Sequence, residues 1–199
     1  MPSKRDSRKV TVVGIAASPR RGGNSEILLD KSLEGARSKG ASVKKIVLNE
    51  LSFKPCQGCG GCLRTGRCVL RDDLTAIYPV IARADSVIFS SAVYFLSVTA
   101  QAKMFIDRFQ ARWVAYRVLK QKGPKDVKRG AFLCVSGSKK SRVFEGGKRV
   151  VKAFFNTLGI HYSAEIMCAG TVEKSDVLRR KDVIRKAYKI GADLVIGKI

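Results

Sequence analysis

Acidic residues are scarce in this chain of 199: 16 Asp and Glu stand against 39 Lys and Arg, a net charge of +23. Histidine and tryptophan occur once each. Long apolar runs are missing as well; residues 10–17 make one of the longest, far short of the roughly 18 residues a bilayer-crossing helix needs. A membrane-spanning segment is therefore not expected. No secretory leader is legible, because a charged stretch at 1–9 leads into a strand-like pattern, and a cytoplasmic protein is the expectation. In that setting six Cys read as metal ligands, reactive thiols or small buried hydrophobes rather than as a disulfide framework. Disorder is excluded despite the charge, since 45% of residues are apolar and they arrive in patterned runs. The basic surplus suits an acidic or polyanionic partner and equally a generally basic surface; it amounts to +8 over residues 1–100 and +15 over 101–199.

What is present alternates between strand and helix. Residues 10–17 read as a strand, 26–39 as an amphipathic helix and 43–48 as a second strand. A Gly- and Cys-rich loop covers 54–71. Asp72 and Asp73 then stand at the start of a helix over 74–84, where carboxylates complement the dipole. A third strand is expected at 86–91, a long helix at 99–119 with an apolar stripe through Met104, Phe105, Ile106, Phe109, Trp113 and Val114, and a basic connection at 121–129. Strands at 131–135 and 160–167 and helices at 147–158 and 177–196 complete the chain. Strand–helix alternation implies right-handed crossovers and a parallel sheet covered on both faces. The fold class expected is α/β: a flavodoxin-like, doubly wound, five-stranded parallel sheet of order 2-1-3-4-5, with a cysteine-rich loop inserted after strand 2. Residues 1–9 read as a flexible basic tail and 10–199 as one domain carrying the cysteine loop at 54–73.

Ligands of such sheets lie beyond the carboxyl ends of the strands, near the point where strand order reverses. The loop after strand 1, Ser18-Pro19-Arg20-Arg21-Gly22-Gly23-Asn24-Ser25, places hydroxyls, an amide, two guanidinium groups and two glycines before a helix. Helix N–H groups and dipole there suit a phosphate. The loop is neither G-x-G-x-x-G nor a P-loop, so both nucleotide fingerprints lose weight. Simple helix capping by Asn24 or Ser25 is the blander alternative.

Cys56, Cys59, Cys62 and Cys68 are spaced C-x2-C-x2-C-x5-C, with glycines at 58, 60, 61 and 66 permitting tight turns. Compact thiols of this kind supply iron–sulfur clusters, whereas structural zinc usually joins two C-x2-C pairs a dozen or more residues apart. A [4Fe–4S] site leads, with zinc or no metal as alternatives. Cys134 and Cys168 lie on apolar strands and read as buried hydrophobes. The sole histidine, His161, lies on a strand and reads as structural.

Together, S-P-R-x-x-G-N-S at 18–25, P-C-x-G-C-x-x-C-x-x-x-G-x-C-x-x-x-D-D at 55–73, V-Y-F at 93–95 and Lys103-Met104-Phe105-Ile106-Asp107-Arg108 resemble the flavodoxin-like NAD(P)H-dependent FMN reductases, specifically their iron–sulfur flavoprotein branch. The resemblance implies FMN with its phosphate held by Ser18, Arg20, Asn24 and Ser25, beside Gly23. It places the isoalloxazine ring against Ala92, Val93, Tyr94, Phe95 and Leu96 and near Ser136 and Gly137. Ala92 departs from the family, which usually has Pro there. It further implies a [4Fe–4S] cluster on the four clustered Cys, a homo-oligomer, and electron exchange between cluster and FMN. An acidic electron carrier such as ferredoxin is the partner this suggests. A cluster-free NAD(P)H-dependent FMN or quinone reductase is the alternative. Nucleic-acid binding, drawing on the basic stretches at 120–129 and 139–152, lacks a recognition motif or interleaved aromatics.

Overall fold

β-branched, doubly buried runs form the centre of the sheet. In the computed structural model, which describes residues 8–123 and 127–199, β1 (Thr11–Ala16), β2 (Ser42–Val47), β3 (Ser86–Ala92), β4 (Lys128–Ser136) and β5 (Ile160–Ala169) are all parallel. Their order is β2-β1-β3-β4-β5, the flavodoxin-like arrangement expected from the alternation. β1, β3 and β4 are buried along nearly their whole length, as strands covered on both faces must be. β2, at one edge, alternates exposed and covered and presents Lys44, the charged dressing that discourages edge pairing.

Side-chain alternation along β1 sends Val12 and Ala16 to one face and Val13 and Ile15 to the other. The first face is covered by α1 (Asn24–Ser38) and α6 (Lys181–Ile196), through Leu28, Leu29, Leu33, Ala187, Ile190 and Leu194. The second is covered by α2 (Leu74–Arg83), α3 (Ala100–Arg108) and α5 (Glu145–Thr157), with Phe89, Phe105, Phe109, Phe132 and Phe154 in edge and tilted ring contacts. α1 and α6 meet backbone to backbone. A Cβ on Gly35 would stand 1.9 Å from the Tyr188 carbonyl oxygen, and one on Gly191 1.7 Å from that of Ser32.

The single helix expected at 99–119 is broken. α3 ends at Arg108; α4 (Gln110–Trp113) follows the turn at Phe109 and passes into a π-helical turn, Val114–Val118. Arg108, beneath the cysteine loop, and Phe109, in the phenylalanine cluster, stand three and four positions after buried Phe105 and so share its face. The closing helix starts at Lys181 rather than 177, after a short 3-10 turn at Asp176–Arg179. Of the expected flexible tail, residues 1–7 lie outside the described residues, and Arg8 pairs with Asp85 at 2.6 Å. The basic connection at 121–129 includes 124–126, also outside them. Among the described residues no helix is long and apolar enough to cross a membrane.

Candidate functional site

Parallel strands bring the loops after β1, β3, β4 and β5 to one edge of the sheet, where β1 separates β2 from β3 and the strand order reverses. In the loop after β1, Ser18 Oγ accepts from Arg20 N–H at 3.3 Å and the Gly23 N–H donates to Arg20 carbonyl at 3.1 Å. Gly22 holds φ +62°, which any side chain would resist. α1 then begins at Asn24 with no side-chain cap, leaving the first N–H groups of the helix to the loop. Capping by Asn24 is thereby replaced by a different role. Its Nδ2 donates to Glu173 carbonyl at 2.8 Å, and its Oδ1 accepts from Val177 N–H at 3.1 Å. Arg20 reaches the same segment, donating to Val172 carbonyl at 3.0 Å.

Residues 170–177 thus form a strap joining the loop after β1 to that after β4, since Gly170 and Thr171 N–H groups donate to the Ser138 and Ser136 carbonyls. Sequence reading missed the strap because its partners lie about 150 positions away. Below the loop, Glu26 is nearly buried and binds Gly22 N–H, Arg21 and Lys45. Burial alone would raise its pKa; Lys45, the Gly22 N–H and Arg21 outweigh that and hold it below the ordinary carboxylate value. The loop is therefore fixed from beneath while Arg20, Arg21 and Gly22 stay exposed.

After β3, Val93 N–H donates to Val135 carbonyl, and Tyr94 and Ser97 exchange reciprocal N–H to carbonyl bonds at 3.0 Å. Phe95 and Leu96 occupy the turn between them at φ +46° and +61°, with both side chains exposed. Two consecutive bulky residues in the left-handed region cost roughly 1–2 kcal/mol each, a strain that persists where surroundings over-determine it. Here α5 does so: a Cβ on Gly146 would lie 2.2 Å from the Leu96 carbonyl oxygen, so only glycine allows the helix to press on the turn. Ser136 is buried, its Oγ accepting from Ser138 N–H at 3.1 Å, while Gly137 is exposed beside Val172. Ser18, Arg20, Gly23, Ser25, Ser136 and Gly137 therefore share one edge, flanked by the apolar turn at 92–96. Phosphate-compatible N–H groups next to an exposed apolar turn form a donor set that suits a phosphorylated planar ring.

The cysteine loop leaves β2 through a 3-10 turn and returns to α2. Its two ends are clasped. Asp73 Oδ2 accepts from Ser52 N–H at 2.7 Å, Asp72 Oδ2 from Lys54 N–H at 3.2 Å, and Arg108 ties Lys54 carbonyl and the Asp72 carboxylate together. Asp72 and Asp73 thus serve the loop as much as the helix start, where Asp72 Oδ1 also accepts from Leu74 N–H. Gly58, Gly60 and Gly66 all take positive φ. Gly66 seats the loop on the π-helical turn, since a Cβ there would meet Ala115 Cβ at 2.6 Å. Cys56, Cys59, Cys62 and Cys68 line one cavity of about 260 Å³ with Arg108, Ala111 and Val114. All six thiols are free. Burial pushes the Cys62 thiol up, and the neighbouring Cys56, Cys68 and Cys59 add to it. Among the described residues no three Cys, His, Asp or Glu side chains are grouped to hold a single metal ion. Thiolates around one zinc must converge to Zn–S distances of about 2.3 Å, whereas a four-iron cluster spreads its four ligands over separate irons. Four thiols on one cavity with glycine hinges are, by donor chemistry alone, the ligand type and number that a four-iron cluster takes.

Cys134 and Cys168 are buried in β4 and β5, and burial pushes Cys134 up to about 12. His161 lies exposed at the start of β5, the end of the sheet opposite the candidate site.

Comparison with known proteins bears on both halves of the site. Residues 10–173 match the family model of NADPH-dependent FMN reductases. An iron-sulfur flavoprotein of Archaeoglobus fulgidus is 44% identical over 96 residues, 48% of this chain and 44% of that protein. One of Methanosarcina thermophila is 30% identical over 150 residues, 75% of this chain and 73% of that protein. The chain spans about half the length of curated relatives it matches, 44% and 58% in two of them. Among solved structures, an NAD(P)H:quinone oxidoreductase from Methanothermobacter marburgensis superposes with TM-score 0.71 at 20% identity, covering 94% of this chain and 98% of that one.

Proposed function

This chain belongs to the NADPH-dependent FMN reductase family, and from that premise we propose that it is a flavin-dependent oxidoreductase of the iron–sulfur flavoprotein kind. The observation that carries the finer reading is that Cys56, Cys59, Cys62 and Cys68 all line one cavity. Relatives that bear the name iron-sulfur flavoprotein support it. FMN would be held by the N–H groups opening α1 with Ser18, Arg20, Gly23 and Ser25, Asn24 fixing that loop through the strap. Ala92, Val93, Tyr94, Phe95 and Leu96 would face its ring, with Ser136 and Gly137 at the other side. When bound, FMN exchanges one or two electrons and a [4Fe–4S] cluster one, so the pair supplies conversion between two- and one-electron chemistry. The chain's own task is placement: it orients the ring, excludes water through the apolar turn and keeps the thiols together.

Anaerobic purification with flavin, iron and sulfide analysis tests the reading. About four iron and four sulfide per chain beside FMN support it. FMN without iron leaves a cluster-free NAD(P)H-dependent FMN or quinone reductase.

Gly146→Val reports on the ring site separately. Its side chain would displace the Leu96 carbonyl, and FMN affinity is expected to fall about tenfold or more, some 1.4 kcal/mol, with iron content unchanged. Unaltered affinity in a fluorescence titration would remove the 93–97 turn from the flavin site.

The +23 charge fits docking of an acidic one-electron carrier such as ferredoxin. Association with a ferredoxin is then expected to slow steeply as salt rises. A rate in stopped-flow that ignores salt rejects electrostatic docking. A homo-oligomer remains part of the proposal, read by the mass of the particle in solution.

A further inference from the structure

Arg108 is 1% exposed, the largest fully buried side chain, and nothing in the placement of FMN or thiols by itself requires it. A guanidinium is costly to bury unless its charge and its donors are met. Asp72 meets the charge, with Oδ2 at 2.5 Å from Nη1 and Oδ1 at 3.2 Å from Nη2, and Lys54 carbonyl accepts from Nη1 at 2.7 Å. Those bonds explain two of the three nitrogens as a clasp on the loop. Nε is left over: it is the one buried side-chain polar atom with no hydrogen-bond partner among the described residues. A buried donor kept without an acceptor asks for one.

Arg108 is also among the residues lining the four-thiol cavity, and Asp72 is not. Burial opposes the Arg108 charge; Asp72 first, then Tyr78 and the adjacent Cys68 thiol, outweigh it and hold the guanidinium charged. We propose that Arg108 is a positioning residue for a four-iron cluster on Cys56, Cys59, Cys62 and Cys68, donating from Nε to a sulfur at that site and setting its reduction potential with a fixed positive charge.

This inference rests on the cluster reading above. Hydrogen bonds to the sulfurs and nearby charge are the protein's levers on such potentials. The redox state with one more electron carries one more negative charge, so a neighbouring guanidinium favours it and raises the potential. Loosening the loop alone would not do this.

The test is a dithionite titration of the anaerobically purified protein, followed by its visible and paramagnetic spectra, on wild type, Arg108→Gln, Arg108→Lys and Asp72→Asn. Arg108→Gln is expected to shift the potential negative and Asp72→Asn to shift it positive. Arg108→Lys, which keeps the charge, should lie between Arg108→Gln and wild type. Opposite signs from the two partners of one clasp are the signature, since a purely structural clasp would lower iron content in both and leave the potential of the retained cluster alone. Should Arg108→Gln fail to fold, Asp72→Asn and Arg108→Lys decide by the same criterion. Potentials equal to wild type in the variants that hold iron overturn the inference and leave the cluster reading intact. Wild-type protein without iron overturns both.

Discussion

Cys59→Ala, purified without oxygen, is expected to fold normally and to lose its iron, from about four atoms per chain to a substoichiometric remnant. The side chain is exposed, so it contributes little to the apolar core and its removal leaves the fold intact. Flanking Gly58 and Gly60, at φ +61° and +71°, give the backbone the turns that carry Cys56, Cys59 and Cys62 to one cavity. Removing the middle thiol leaves three of the four proposed ligands. FMN content should be unchanged, because the flavin loops belong to β1, β3 and β4. Retention of full iron by Cys59→Ala would show the four-thiol assignment to be wrong. Cys134→Ala is the contrasting variant: that thiol is sealed in β4, and the iron should stay.

Gly191→Ala is expected to lower the melting temperature, against the sign that helix propensity alone would give. An interior glycine replaced by alanine ordinarily gains about 0.5–1 kcal/mol. Here the added Cβ would stand 1.7 Å from the Ser32 carbonyl oxygen, and the mirror contact at Gly35 is 1.9 Å from that of Tyr188. Neither obstacle is a flexible side chain that could swing away; both are helix backbone. α6 must retreat from α1, opening the layer of Leu28, Leu33, Ala187 and Ile190. A cost of about 3 kcal/mol or more is expected from such overpacking. With each kcal/mol worth roughly 2–4 °C in a chain of this size, the melt should fall by about 6–12 °C. Gly191→Val should prevent folding, since the whole margin of a domain is only about 5–15 kcal/mol. Retreat of α6 also pulls on the strap that holds Asn24, so flavin should dissociate below the main transition. A raised melting temperature in Gly191→Ala, followed by circular dichroism, would refute the close helix contact.

The two sites differ in how far they could be read in advance. The cysteine set was legible, because four thiols placed within thirteen residues leave their spacing in the chain. The loop after β1 was legible as a turn into a helix, but the work of Asn24 was not. A side chain that caps and one that ties down a distant strap look alike in sequence, and only the approach of residues 173 and 177 separates them. The apolar turn at 93–97 showed its aromatics but hid its strain, since Phe95 and Leu96 carry no sign of positive φ. Arg108 appeared as the last residue of a motif on a helix, where an arginine is ordinarily solvated. Its burial is made possible by the Asp72 carboxylate and the Lys54 carbonyl, 36 and 54 positions away, which no local pattern reveals.

By itself the sequence determined the parallel α/β class, written in strand–helix alternation, and the four thiols, written in short spacing; the strand order and the loop-bearing edge were expected from the common doubly wound arrangement that such alternation selects. The tertiary structure alone decided that Arg108 and Asp72 close the cysteine loop, that the strap completes the loop after β1, and that glycine is required at 35, 146 and 191. Those features depend on backbones and side chains brought together from distant positions, and contact between them is a property of the packed chain that no local pattern encodes.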